Sequence, residues 1–181
     1  MQSVLEKARA IRLLALDCDG VLTDGSLLYG NDGEELKAFS ILDGLGIKLL
    51  RASGVEVAII TGRKSEIVTR RARELGISQL LQGREDKLVA LRELASRLGI
   101  GLDAIAYCGD DLPDLPAIRA AGLGLAPANA YALVREHADW VTTLRGGAGA
   151  VREICDLVMQ AQGTLEPALA HYLTAGADSN P

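Results

Sequence analysis

The sequence predicts an α/β fold in which helices cover both faces of a doubly wound parallel sheet. Three observations support this class. Short apolar runs alternate with stretches of helical period, glycines follow those stretches where helix C-caps belong, and hydrophobic residues make up 49% of the chain while aromatic residues make up only 3%. At 181 residues, the chain has the length of one domain with a sizeable core.

The predicted elements alternate between strand and helix from residue 13 onward. The apolar runs "LLALD" at 13–17 and "VEVAIIT" at 55–61 predict buried strands, and "GLGIKLLRASG" at 44–54 predicts a helix between them. The alternation continues through "SEIVTRRARELG", "KLVALRELASRLG", "AIAYCGDD", "LPAIRAAG", "LGLA", "ADWVTT" and "GAVREICDLVMQAQG". We therefore expect one domain over residues 1–162 and a tail over 163–181 that ends in small polar residues.

Residues 20–40 interrupt this alternation. Alternating residues flank "GNDG" at 30–33, a turn signal typical of hairpins, so we expect an antiparallel β-hairpin that projects from the sheet edge. Only about 40 residues separate Asp19 from Thr61. That length leaves no room for a separate lid domain, so something else must cover a site at this edge.

Composition limits the classes of partner. The formal net charge of -5 disfavours nucleic acid and anionic membranes, and no apolar run approaches the length of a spanning helix. The N-terminal stretch shows no small-residue cleavage site, and the three cysteines show no CxxC spacing. We therefore expect a cytoplasmic protein with a small-molecule partner, and no nucleic-acid or membrane partner.

Polar residues follow three of the predicted strands. Asp17 and Asp19 follow "LLAL", Thr61 follows "VEVAII", and Asp110 and Asp111 follow "AIAYC". In open α/β sheets, the ligand crevice lies at the carboxyl ends of the strands. These side chains can therefore converge on one pocket although they are distant in sequence.

The spacing of Asp17 and Asp19 allows them to take different chemical roles. Residues i and i+2 that leave a strand point to the same side, so both carboxylates can address one ligand. One carboxylate can be the nucleophile, as in aspartyl-phosphate enzymes, while the other protonates the leaving alcohol. Crowding of like charges favours protonation of one of the pair, as a general acid requires.

Asp17, Asp110 and Asp111 would repel one another and a phosphate dianion, so we expect a hard divalent cation among them. Carboxylate oxygens favour Mg²⁺, whereas Zn²⁺ would need clusters of thiols and imidazoles that the sequence lacks. Lys87 opens "KLVALRELASRLG" and can add fixed positive charge at the same rim. The Thr61 hydroxyl and the amides of the "TGR" turn, placed at a helix entry, can donate hydrogen bonds to phosphate oxygens.

Each of these residues has a simpler explanation when it is considered alone. A single Asp at a strand end is typically a helix cap or turn residue, and Lys87 alone would be a solvated side chain. Cys18 and Cys108 lie beside the acids, but we expect them to be small buried side chains and not reactive thiols. The ordered combination of DxD, Thr, Lys and GDDxxD favours a phosphoryl-transfer site.

The same residues resemble the motifs of the haloacid dehalogenase superfamily of phosphotransferases. "DCDGVLTDG" at 17–25, Thr61, Lys87 and "GDDLPD" at 109–114 are similar to its four motifs, and the resemblance spans about residues 11–162. "AFSILDGLGI", "AIITGRKS" and "GGAGAVREICDLVMQAQG" further resemble members that hydrolyse the 8-phosphate of 3-deoxy-D-manno-octulosonate (Kdo) in lipopolysaccharide synthesis. The resemblance implies Kdo and inorganic phosphate as products.

The resemblance also implies an architecture and a set of roles. It implies a Rossmann-like domain without a cap, which forms a homotetramer through the projecting hairpin so that a neighbouring subunit covers each active site. It implies Asp17 as nucleophile, Asp19 as general acid and base, and Thr61 and Lys87 as residues that hold the phosphoryl group. Mg²⁺ would be bound by the Asp17 carboxylate, the Asp19 backbone carbonyl and Asp110.

Further residues are implied to contact the sugar phosphate, some of them across a subunit boundary. Arg63 can bind the Kdo carboxylate in bidentate fashion and favours the eight-carbon sugar, with a solvated helix-start cation as the alternative. Arg71 could share a helix face with Arg63 or form a surface salt bridge. Together with Asp19 and Lys87, the implied contacts are Ser40, Ile41, Leu42, Asp43, Gly44, Lys48, Gly62, Arg63, Arg71 and Asp111.

Several alternatives stay open at this point. Leu42 stands where related phosphatases often carry Arg, which leaves one substrate contact in question. The tail beyond residue 163 is a candidate cover for a neighbouring active site. The substrate could also be a nine-carbon ulosonate 9-phosphate or another sugar phosphate. A phospho-accepting signalling domain is a further alternative, disfavoured by the early DxD and by a hydrolytic base at Asp19.

Overall fold

A parallel six-stranded sheet forms the centre of the structure, a computed structural model that describes residues 2–33 and 35–174, without the side chains of 171 and 174. The strands are β1 (Leu13–Leu16), β2 (Leu28–Tyr29), β3 (Glu35–Leu36), β4 (Glu56–Thr61), β5 (Gln79–Gln82), β6 (Ile105–Cys108), β7 (Leu123–Ala126) and β8 (Trp140–Val141). The sheet order is β5-β4-β1-β6-β7-β8, and β2 and β3 form a separate antiparallel pair. Strand β1 therefore lies between β4 and β6, and the three strands end side by side.

Helices cover both faces of the sheet, as the sequence predicts. They are α1 (Gln2–Arg9), α2 (Ile41–Ala52), α3 (Glu66–Glu74), α4 (Lys87–Leu98), α5 (Leu115–Ala120), α6 (Ala132–His137), α7 (Ala150–Ala161) and α8 (Leu165–Thr174). Within the described residues, no helix is long and apolar enough to span a bilayer.

The side chains of β1 alternate between two hydrophobic clusters. Leu14 and Leu16 pack with α1, α2, α3 and α7 on one face, and Leu13 and Ala15 pack with α4, α5 and α6 on the other. Because successive residues of a strand point to opposite faces, a strand covered on both sides is apolar throughout. The expectation of a doubly wound parallel sheet is confirmed.

The projecting hairpin is also confirmed, and the described residues between Asp19 and Thr61 contain no cap domain. Strands β2 and β3 pair over only two residues each, Leu28 with Leu36 and Tyr29 with Glu35. The hairpin leaves large apolar side chains exposed, namely Leu27, Leu28, Tyr29 and Leu36.

The predicted C-terminal tail contains a helix. Helix α8 follows α7 after a short turn and packs the partly buried Leu165 and Ala168 against the main hydrophobic cluster. The small polar residues 175–181 and the side chain of His171 lie outside the described residues.

Asp43 joins α2 to the start of α7. The first turn of α7 has no side-chain cap of its own, and the buried Asp43 carboxylate accepts hydrogen bonds from the backbone N–H of Arg152 at 2.8 Å and of Gly149 at 3.3 Å. These are two of the donors that a helix N-terminus leaves without partners within the helix. Asp43 therefore acts as a cap for a helix distant in sequence, and its carboxylate is committed to the fold.

We expect Asp43→Ala to lower the free energy of unfolding by about 1–3 kcal/mol, because two helix N–H groups lose their acceptor. Asp43→Asn is the matched control, since its amide oxygen still accepts one hydrogen bond, and it should lose less. Urea denaturation of the three proteins measures the difference. An Asp43→Ala protein as stable as the parent would contradict this capping role.

Candidate active site

A cavity of about 400 Å³ opens where β1, β4 and β6 end. Its lining residues are Asp17, Asp19, Gly25, Thr61, Gly62, Arg63, Glu85, Lys87, Asp110, Asp111, Pro113 and Asp114. All the residues that were predicted to be catalytic or to bind metal are among them. The structure thus brings these residues to one place, while their chemical roles stay predictions.

Lys87 lies buried between two carboxylates. Its Nζ is 2.7 Å from Asp17 Oδ1 and 3.0 Å from Asp114 Oδ1, and its side chain is only 4% exposed. Burial opposes the charge on Lys87, but the attraction of Asp17 and Asp114 outweighs it and raises the pKa of Lys87. The ammonium group therefore stays protonated and fixes the position of the Asp17 carboxylate.

Asp114 is in turn held by groups around it. The Tyr107 hydroxyl donates a hydrogen bond to Oδ1 at 2.7 Å, and the backbone N–H groups of Asp110 and Asp111 donate to Oδ2 at 3.2 and 3.3 Å. The "GDDLPD" motif contains Asp114, but its contact with Lys87 was not predicted. Tyr107 was missed because an aromatic residue inside a buried strand gives no sequence signal of where its hydroxyl points.

Asp17, Asp110 and Asp114 form a cluster in which one carboxylate oxygen of each residue lies within 4.8 Å of those of the other two. Burial, then repulsion from Asp114, raises the pKa of Asp17 to about 6 although Lys87 opposes this. Burial, then repulsion from Asp17, raises the pKa of Asp110 to about 7. A cluster of oxygen donors with excess negative charge fits a hard divalent cation such as Mg²⁺.

Asp111 is exposed and lies outside this cluster, although it lines the cavity. Its Oδ1 accepts a hydrogen bond from the backbone N–H of Leu112 at 2.8 Å and caps the short 3₁₀ turn Leu112–Asp114. The sequence had suggested that Asp111 is the third acid beside Asp17 and Asp110. In the structure the third carboxylate of the cluster is Asp114.

Asp19 faces the hairpin, where it meets two cations. The buried Lys37 ammonium donates to Asp19 Oδ1, and the Arg63 Nε lies 3.9 Å from Oδ2. Glu35 Oε1 contacts both cations, at 3.1 Å from Lys37 Nζ and 3.5 Å from Arg63 Nη2, and the Tyr29 hydroxyl accepts from Arg63 Nη2 at 3.0 Å. Sequence reasoning missed Lys37. The one available signal was the pair of opposite charges at i and i+2 in an extended segment, which share one side.

The sequence had suggested that the "TGR" turn is the entry of a helix, but the structure shows that it is not. Helix α3 begins only at Glu66, and the turn is held instead by the backbone N–H of Arg84, which donates to the Thr61 carbonyl at 3.0 Å. Arg63 therefore lies outside α3 and shares no helix face with Arg71. Arg63 is free of the helix and extends over the cavity toward the hairpin.

A second group of predicted contact residues lies outside the cavity lining, around the start of α2. Arg71 Nη2 donates to the Ser40 carbonyl at 3.1 Å, and the guanidinium carbon lies 5.6 Å from the centroid of the Phe39 ring. Ile41 is 83% exposed and Leu42 is 54% exposed. The residues of this group are Ser40, Ile41, Leu42, Asp43, Gly44, Lys48 and Arg71.

Cys18 and Cys108 are fully buried free thiols. Burial is the largest cause that raises the pKa of each thiol, and nearby aspartates raise it further. A thiol whose pKa is raised in this way is a poor nucleophile. The expectation that these cysteines are core side chains is confirmed.

Comparison with known families supports the same chemistry. The sequence profile of the haloacid dehalogenase-like hydrolases matches residues 76–154. The chain is 52% identical to the 3-deoxy-D-manno-octulosonate 8-phosphate phosphatase of Escherichia coli K12 over 165 residues, which cover 91% of this chain and 88% of the relative.

Solved structures of such phosphatases are similar over nearly the whole chain. The Moraxella catarrhalis enzyme, crystallised with magnesium, phosphate and Kdo, has a TM-score of 0.94 and 49% identity, covering 95% of this chain and 99% of that one. The Yersinia pestis enzyme has a TM-score of 0.89 and 49% identity, covering 91% and 89%. With its acids, threonine and lysine gathered in one cavity of a capless sheet, the chain belongs to the 3-deoxy-D-manno-octulosonate 8-phosphate phosphatase family of haloacid dehalogenase-like hydrolases.

Proposed function

We propose that this chain is a Mg²⁺-dependent phosphatase that hydrolyses Kdo 8-phosphate to Kdo and inorganic phosphate. The observation that carries the proposal is the arrangement of Asp17 and Asp19 in one cavity with the buried Lys87 and with Asp110. The high identity to phosphatases of this substrate supports the choice of sugar.

In the first step, the Asp17 carboxylate attacks phosphorus in line while Lys87 keeps it oriented. The Asp17 O–P bond forms, the bond from phosphorus to the C8 oxygen breaks, and Asp19 gives its proton to that oxygen. Kdo leaves, and an aspartyl phosphate stays on Asp17. Asp19 is then a carboxylate, ready to act as a base.

In the second step, Asp19 takes a proton from a water molecule whose oxygen attacks phosphorus. The Asp17 O–P bond breaks, inorganic phosphate leaves, and Asp19 is protonated again for the next turnover. Phosphoryl transfer depends mainly on position and charge, so the Lys87 ammonium, the Thr61 hydroxyl and the amides of the "TGR" turn stabilise the transferring oxygens.

The metal would be held by Asp17, the Asp19 backbone carbonyl and Asp110. When bound, Mg²⁺ neutralises the crowded carboxylates and the phosphoryl oxygens. Asp114 is close enough to share this cluster, but it already accepts hydrogen bonds from Tyr107 and pairs with Lys87. We assign Asp114 to holding Lys87.

Arg63 is the group that would recognise the sugar. Its guanidinium is partly exposed at the cavity rim, where the Tyr29 hydroxyl and Glu35 hold it. A guanidinium can bind the Kdo carboxylate through two parallel hydrogen bonds. This contact favours an eight-carbon ulosonate whose carboxylate reaches the rim.

The exposed apolar hairpin and the start of α2 suggest how the open cavity is covered. We propose a homotetramer in which these surfaces meet, so that one subunit closes the site of its neighbour. The group at the start of α2, apart from the buried Asp43 carboxylate, lies outside its own cavity and would then contact the substrate across the boundary. The support for this assembly is that both surfaces expose large apolar side chains, namely Leu27, Leu28, Tyr29, Leu36, Ile41 and Leu42.

The remaining expectations belong to the same proposal. Residues 1–162 form the phosphatase domain, and the tail over 163–181 is a candidate cover for a neighbouring site. Three free, buried cysteines fit a reducing compartment, which supports a cytoplasmic enzyme of lipopolysaccharide synthesis.

Asp17→Asn should reduce phosphate release from Kdo 8-phosphate on the order of 10³-fold or more, because the amide is not a nucleophile. The matched control is Asp103→Asn, which changes an exposed aspartate just before β6 at the opposite end of the sheet. Phosphate release is measured with Kdo 8-phosphate and with a nine-carbon ulosonate 9-phosphate. Near-parental turnover by Asp17→Asn would exclude this mechanism, and preference for the nine-carbon sugar would correct the substrate.

Mg²⁺ should bind more tightly as the pH rises. The raised pKa values of Asp17 and Asp110 mean that both carboxyls carry protons near pH 5 and release them through about pH 6 and 7. Protons compete with the cation, so affinity should increase by at least about tenfold between pH 5 and pH 8. Calorimetric titration measures this, with Asp110→Asn as the variant that weakens binding. Affinity independent of pH would contradict the proposed ligands.

Arg63→Met should raise the KM for Kdo 8-phosphate by about 10- to 100-fold, the loss of one charge-assisted contact. It should change the KM for a sugar phosphate without a carboxylate much less. Steady-state kinetics with both substrates measure the contrast. Equal effects on the two substrates would show that Arg63 does not bind the carboxylate.

A further inference from the structure

Lys37 is a buried cation that the proposed mechanism leaves without a role. It follows β3 in the extended segment that leads to α2, and its side chain is only 1% exposed. Its ammonium group lies against Asp19 and Glu35 and is absent from the residues that line the cavity. Burial of an ammonium group is costly unless opposite charges surround it. The groups that contact Lys37 therefore indicate its role.

Two carboxylates lie beside the Lys37 ammonium. It donates to Asp19 Oδ1 and lies 3.1 Å from Glu35 Oε1, the same oxygen that Arg63 Nη2 approaches at 3.5 Å. Burial opposes the charge of Lys37, but the hydrogen bonds to Asp19 and Glu35 outweigh it and raise its pKa. The ammonium is thus a permanent charge, and Glu35 fixes its place.

If Lys37 served only to stabilise the hairpin, its pair with Glu35 would be enough, since both residues belong to the same strand segment. Lys37 reaches beyond the hairpin to Asp19, on the loop that follows β1. Its contact occupies one carboxylate oxygen, Oδ1. Among the described residues, the cation paired with Oδ2 is Arg63 at 3.9 Å, which is longer than a hydrogen bond. Oδ2 is therefore the oxygen left to exchange a proton.

We propose that Lys37 is a positioning residue, held by Glu35, that binds Oδ1 of Asp19 and so directs Oδ2 at the oxygen that gains or loses a proton. This inference rests on the proposed function, because it requires Asp19 to be the acid and base. A displacement of about 1 Å in a catalytic group can cost about 100-fold in rate. The hairpin thereby contributes to catalysis within its own subunit, in addition to any role in assembly.

The test is steady-state kinetics of Lys37→Met with Kdo 8-phosphate. We expect kcat to fall by about 10- to 100-fold with KM changed less than about twofold, since substrate contacts are intact. Lys37→Arg keeps a cation and should recover much of the lost kcat. Lys7→Met is the matched control, because it removes an exposed lysine–aspartate pair, to Asp139, outside the cavity lining. Its kinetics should match the parent.

Two further measurements separate positioning from general damage. Glu35→Gln keeps Lys37 beside Asp19 and should lower kcat less than Lys37→Met does. With p-nitrophenyl phosphate, whose leaving group needs no proton, Lys37→Met should still form the aspartyl phosphate at the parental rate in rapid-mixing experiments, and should be slow only in its hydrolysis.

The possible outcomes are distinct. A parental kcat for Lys37→Met would overturn the inference, as would a loss that Lys37→Arg does not restore and that appears equally in KM. Failure of the proposed function looks different, because the parent protein would then release no phosphate from Kdo 8-phosphate or Asp17→Asn would remain active.

Discussion

The structure depends on one buried ammonium group, that of Lys87, between Asp17 and Asp114. Without it, three carboxylates would crowd the carboxyl ends of β1 and β6 with no fixed positive charge inside the cluster. Lys87 compensates only part of this charge, and the pKa values of Asp17 and Asp110 remain raised. The site is therefore built to gain a cation and to accept a phosphoryl group beside it.

Much of the fold and the centre of the site could be predicted because their signals are local or periodic. Uninterrupted apolar runs such as "LLAL" indicate strands buried on both faces, and a parallel sheet must place the residues after those strands at one edge. This reasoning found Asp17, Thr61 and Asp110. The sequence could not show that Asp43 caps α7, because that contact joins residues more than one hundred positions apart. The roles of Tyr107 and Lys37 were not predicted, because the direction in which a side chain points toward a distant partner also leaves no periodic signal.

The hairpin has a larger role than its length suggests. It leaves apolar side chains exposed, while Glu35 on its return strand and Lys37 just after that strand contact Asp19 and Arg63. Because a sheet without a cap domain has no lid over its cavity, the projecting hairpin must supply the groups that hold Asp19 and Arg63 in place. The sequence predicted the turn from "GNDG" but not the charged side chains that tie the hairpin to the site.

The central claim is that Asp17 carries the phosphoryl group beside one shared Mg²⁺. The most direct measurement is a crystal structure of the chain grown with MgCl₂ and beryllium fluoride, which mimics a phosphoryl group on a carboxylate. We predict a trifluoroberyllate group whose beryllium is bonded to an Asp17 carboxylate oxygen, with Asp110 and the Asp19 carbonyl on the metal and Lys87 still in contact with Asp17. Beryllium bonded to another side chain, or a metal remote from Asp17 and Asp110, would contradict this claim.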